Sequence, residues 1–200
     1  MLRGSLAAMA SEKGHHGFVR RFLRARRGAV AVEFAFVALP FLLLLFGILE
    51  LALVFIVSMT LETATGDAAR MIRTGEFQAS GATGKADFQK LVCDRMMWLQ
   101  SGCAGKLTVD VQTFAIDDFK SMSENDGQDA ANFDKGATCF SPGGPADVVM
   151  VRTYYEWPLF TPLLNDALVN MGNGKRLISA IASFRNEPYS NASPVGSKCT

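Results

Sequence analysis

The chain has 200 residues, room for one modest domain and an anchor, with 20 basic and 19 acidic residues and a net charge of +1. The charge is unevenly spread: residues 1–28 hold seven basic residues against one acid, Glu12, and the other 172 hold 13 basic and 18 acidic residues. A basic end ahead of an apolar segment is a topology signal and not a nucleic-acid patch. The two histidines, His15 and His16, both precede Gly28, so His-based triads, most zinc sites and the commonest general base are excluded downstream.

Residues 1–19 show no periodicity and are expected to be disordered, His15 and His16 with them. Residues 29–61 are apolar, interrupted by Glu33, Glu50 and a few small polar residues. As a helix these 33 residues would measure roughly 50 Å, against a hydrocarbon core of about 30 Å. The segment is too long for the core of a secretory signal peptide, and one membrane-spanning helix is predicted. The basic face then stays in the cytoplasm and everything after the segment is exported. Two placements of the span are open. If lipid begins near Val30, Glu50 falls at the far interface, and residues 51–61 need cover from the chain's own head or from neighbouring helices. In the other, a tilted span covers residues 34–57, with Glu50 facing a partner. Pro40 is expected to kink or bend the helix.

The helix is predicted to continue past the membrane, with Leu61, Ala64, Ala68 and Ile72 on one face and a stop at Gly75. After a Gly/Ser/Ala loop, Asp87 is expected to cap a second helix reaching about Ser101, with Gly102 as its stop. Residues 106–113 alternate Leu107, Val109 and Val111 against Thr108, Asp110 and Gln112, the pattern of a half-buried strand. Residues 115–146, rich in Asp, Asn, Ser and Gly, read as a long surface excursion. A second strand is predicted over 147–157, stopped by Pro158, then a short helical piece over 163–171 and a third strand over 177–185. The fold class is therefore α+β. A long N-terminal membrane helix leads into a small periplasmic head whose short antiparallel sheet packs on helices. The expected divisions are a leader at 1–28, a transmembrane helix at 29–61 and a head at 62–200.

Cys93, Cys103, Cys139 and Cys199 all lie on the exported side, without a Cys-x-x-Cys pair. Two structural disulfides are the default in an oxidising compartment, and four cysteines allow three connectivities. Cys93–Cys103 is favoured because it brackets a helix end, which leaves Cys139–Cys199 by elimination. The loop-entropy contributions would be roughly 2–3 and about 4 kcal/mol.

The most informative feature is the junction at Gly28. A basic run precedes it, apolar residues follow, and one carboxylate, Glu33, stands five residues on. A charge inside lipid costs about 2.5–3.5 kcal/mol on insertion scales, so an ordinary anchor has no use for it. Cleavage after Gly28 would free the amino group of Ala29, largely cationic at neutral pH. Glu33 lies about 6 Å further along the helix and could pair with the new terminus of a neighbouring subunit. The segment Arg-Arg-Gly-Ala-Val-Ala-Val-Glu-Phe-Ala at 26–35, with the following Leu-Pro and leucine-rich run, resembles the TadE-like family, pseudopilins of the tight-adherence (Flp-type) pilus system. The family's processing motif falls here on Gly28, Glu33 and Phe34. Ala-Ala-Arg at 68–70, the pair Cys93/Cys103 and Phe-Arg-Asn-Glu-Pro-Tyr at 184–189 are also similar to members. The resemblance implies cleavage between Gly28 and Ala29 by an aspartate-type prepilin peptidase. It also implies an inner-membrane location, and partnership with other pilins and the assembly machinery. Met9 is an alternative start to Met1.

Other features read as structural. Asp126-Gly-Gln-Asp129 does not follow a calcium-loop pattern and is expected to be a solvated loop. Tyr154, Tyr155 and Trp157 are expected in the strand core, and Asn191-Ala-Ser193 has only the form of a glycosylation acceptor. No phosphate loop or nucleophile elbow is present, and no metal, cofactor, nucleic acid or small-molecule substrate is expected. The leading reading is a processed, non-enzymatic pilus-assembly subunit. The alternative is an uncleaved, membrane-anchored periplasmic binding or scaffold module.

Overall fold

The computed structural model describes residues 26–82, 84–114, 128–161 and 165–189. The expected tail with His15 and His16, Asp126, Asn191 and Cys199 lie outside these residues. The chain divides into two compact units, 1–46 and 47–200.

The first unit is described by one element, the N-terminal part of α1 (Arg26–Arg73), a helix of 48 residues. It runs through Pro40 as helix, which membrane helices tolerate more readily than soluble ones. Phe34, Phe36, Val37, Leu39, Phe41 and Leu44 are among the exposed side chains of this stretch.

The second unit opens with the rest of α1. Gly47, Glu50, Val57, Leu61, Ala64 and Ala68 are buried, with Val54 partly so. These positions alternate spacings of three and four, the seam along which a helix packs on one side only. The expected face of Leu61, Ala64, Ala68 and Ile72 is buried as the periodicity predicts. The helix ends after Arg73 at Gly75, whose φ of 79° is the left-handed closure that glycine adopts without strain.

Two short helices follow, α2 (Glu76–Ala79) and α3 (Lys85–Arg95), then a 3₁₀ turn at Met97–Gly102. The expected single helix to Ser101 is corrected here. It stops at Arg95, and Asp87 lies in its first turn behind the N-cap Gly84. The disulfide Cys93–Cys103 explains the break. Its Cα atoms are 5.6 Å apart, whereas ten residues of continuous helix would separate them by about 15 Å.

Strands β1 (Leu107–Phe114), β2 (Val148–Pro158) and β3 (Lys175–Arg185) form an antiparallel sheet in the order β1-β2-β3. Val109 pairs with Thr153, and Tyr155 with Ile178. The inner face carries Val109, Val111, Val149, Val151, Tyr155, Ile178 and Ala180 into one core with Leu61, Ile72, Phe88 and Val92. On that face the Thr65 and Thr153 hydroxyls share a hydrogen bond of 2.6 Å. The expected half-burial of β1 is also corrected: Leu107 to Val111 are buried on both faces. Part of the loop ahead of β2 returns along β1, with Phe140 bridging Val111 in parallel. The Cys139 N–H donates to Asp110 at 2.9 Å. A short helix, α4 (Asn165–Leu168), lies within the expected 163–171 piece.

Candidate assembly surface and its anchoring contacts

Gly28 and Ala29 lie in the first turns of α1. Glu33 is exposed, and so is Phe34, at 72%. Only 17% of the most apolar 18-residue window of the Val30–Arg73 stretch is buried. A core helix of a water-soluble domain would be covered along such a window. This helix is long and apolar enough to cross a membrane, and the side chains around Glu33 are presented outward, where lipid or another helix can meet them.

Glu50 contrasts with Glu33. It is 3% exposed, and its carboxylate accepts two backbone hydrogen bonds of 2.7 Å. The Phe160 N–H donates to Oε1 and the Thr161 N–H to Oε2. The residue expected to want a partner has one within the second unit, the loop that follows β2. Sequence reasoning missed these amides. The signal was available in part: Glu50 lies seven residues before Val57, which lies seven before Ala64, so all three fall on one seam. Of the two covers considered for residues 51–61, the head supplies one side. Val57 and Leu61 are fully buried there, while Leu51, Phe55, Ile56 and Met59 stay exposed.

The far end of α1 is gripped by residues 187–189. The Glu187 N–H donates to the Arg73 carbonyl at 2.9 Å, and the two side chains form an ion pair of 3.1 Å. Asn186 Nδ2 donates to the carbonyls of Pro142 and Gly144, both at 2.9 Å. Gln78 Nε2 donates to the Tyr189 hydroxyl at 3.0 Å. A Cβ at Gly75 would lie 2.6 Å from the Tyr189 ring, so glycine is required there by close approach as well as by φ. The structure thus brings 68–75 and 184–189, two segments distant in sequence, to one corner.

Charged groups elsewhere hold loops. Lys135 and Lys175 both pair with the buried Glu156 carboxylate, the latter at 2.7 Å. Burial pushes that carboxyl toward protonation, but hydrogen bonds and charge from the two lysines outweigh it and hold its pKa below the usual carboxylate value. Tyr154, Tyr155 and Trp157 are buried strand residues, as expected. The Cys93–Cys103 bond is formed, and the partner expected for Cys139, Cys199, lies outside the described residues. Among the described residues no group of three or more His, Cys, Asp or Glu is placed to hold a metal ion.

The apolar helix with its junction at Gly28 finds its counterpart in a known family. Residues 28–70 match the family model for TadE-like protein. The TadE-like match begins at the glycine of the junction, includes Glu33, Phe34 and Glu50, and ends in the Ala-Ala-Arg that precedes the Gly75 corner. It supports a protein associated with the tight-adherence pilus and, in general terms, with that pilus's assembly components. No curated protein and no solved structure matches the chain.

Proposed function

We propose that this chain is a pseudopilin or minor pilin, cut by a prepilin peptidase after Gly28 and acting in assembly of a tight-adherence pilus. In this reading it is a single-pass inner-membrane protein with the basic leader in the cytoplasm and the head in the periplasm. The carrying observation is the exposed apolar start of α1 with Glu33 in its midst, inside the TadE-like match. An isolated anchor has to bury that carboxylate in lipid at a cost of about 2.5–3.5 kcal/mol. A bundle of cleaved helices instead offers it the α-amine of Ala29 on a neighbouring subunit, cationic below its pKa of about 7.7–8. The role is structural, and the chemistry at Gly28 belongs to the peptidase.

N-terminal sequencing of the membrane-extracted protein tests the cut. A chain beginning at Ala29 is expected where the peptidase is present. Retention of residues 1–28 under those conditions would leave the uncleaved scaffold as the better reading. Glu33→Ala tests the pairing: processing should persist while piliation fails, and normal piliation of that variant would refute the pairing.

A further inference from the structure

The head carries an apolar patch that the assembly reading does not use. Met97 is 78% exposed, Trp98 52% and Phe160 66%. Trp98 and Phe160 flank the buried Trp157 ring edge to face, with centroids 6.3 and 5.9 Å from it, so the aromatic rings form one cluster. Met97 is held at a φ of 48°, a region non-glycine residues seldom adopt, with its side chain turned to the outside. Neither loop carries a charge: none stands between Arg95 and Lys106, and none between Glu156 and Asp166.

The position of this patch follows from Glu50. The Phe160 and Thr161 amides are bound to its carboxylate, which fixes the patch to the turn of α1 where the second unit begins. Counting along α1, Glu50 comes 20 residues after Val30, about 30 Å, the thickness of a hydrocarbon core. Tryptophan favours the headgroup level, where its ring is partly in lipid and its N–H partly in water. We infer that Met97, Trp98 and Phe160 form a foot that seats the head on the outer surface of the bilayer its own helix crosses. The foot rests on the membrane topology proposed above. Its occupant is the lipid interface, and the Glu50 contact sets its depth.

The test uses the full-length chain in phosphatidylcholine–phosphatidylglycerol vesicles. A spin label is placed singly at three exposed positions, Met97→Cys, Leu45→Cys in the span and Asn132→Cys on the head, with the unsubstituted chain treated alike as the blank. Collision with oxygen, which partitions into lipid, is compared with collision with a water-soluble nickel chelate. The expected result is an oxygen-to-nickel ratio several-fold higher at 97 than at 132, and higher again at 45. A label at 97 as open to nickel as that at 132 would overturn the foot while leaving the span intact. Shielding of 97 from both reagents would overturn it in favour of cover by another protein copy. A label at 45 open to nickel would overturn the anchor reading, and the foot with it.

Discussion

At the scale of single residues, two carboxylates show how burial and partners decide what a charge does. Each Glu50 carboxylate oxygen takes one backbone amide, and the Thr161 side chain adds a further hydrogen bond. Glu50→Gln keeps the shape but offers one acceptor and presents an NH₂ to the other amide. Leaving a buried donor unpaired costs about 1–3 kcal/mol, and hydrogen exchange at Phe160 or Thr161 should accelerate accordingly. Glu156 is governed by Lys135 and Lys175. Because its folded pKa is depressed, its stabilisation is present above the ordinary carboxylate value of 4.5 and is lost as pH falls through the lower folded value. Glu156→Gln should therefore flatten the acid side of the stability–pH profile below about 4.5, measured by thermal unfolding in detergent. Neither partner was legible in the sequence, since Glu50 meets residues at least 110 positions away and Glu156 meets a lysine of the long loop read as a surface excursion.

Among the elements, α1 was the most legible and α3 the least. The face of Leu61, Ala64, Ala68 and Ile72 and the stop at Gly75 follow from helical spacing and one glycine. The second helix failed because local periodicity carries no information about a covalent tie. Phe88, Leu91, Val92 and Leu99 fit a helix in pattern, but Cys93–Cys103 turns the chain back. Replacing both cysteines by serine should cost roughly 2–3 kcal/mol by the loop-entropy account, read as a lowered urea midpoint under oxidising conditions. Strand positions were legible within two residues, but the double burial of β1 was not. Thr108 and Asp110 look solvent-facing in an alternating pattern, yet Asp110 meets Arg152 at 3.9 Å and the Cys139 N–H. A loop rich in Asp, Asn and Gly gives no sequence sign that residues such as Phe133, Cys139 and Phe140 pack against the sheet.

For the whole molecule, the α+β class and the antiparallel sheet were readable because apolar periodicity and turn residues agree along most of the chain. The TadE-like match starts at Gly28, where charge, glycine and carboxylate fall together in the sequence. The extent of the head was harder to see, since membrane and core residues share one composition. The compact unit holding the sheet begins at Gly47, and Val57 and Leu61 belong to its core. A fragment starting at residue 62 should thus be less stable than one starting at 47. The loss should exceed the about 2–5 kcal/mol typical of truncating a single large core side chain, and comparative denaturant unfolding of the two fragments checks it.

The segment at 184–189 also bears on how firmly α1 is held in the second unit. Arg73 and Glu187 are joined main chain to main chain and side chain to side chain, while Thr65 and Thr153 tie the same helix to the central strand. Drawing this part of α1 out of the second unit therefore means breaking both ties as well as exposing its buried seam. The helix is thereby clamped at two separated points, its last turn and Thr65, and not by apolar burial alone.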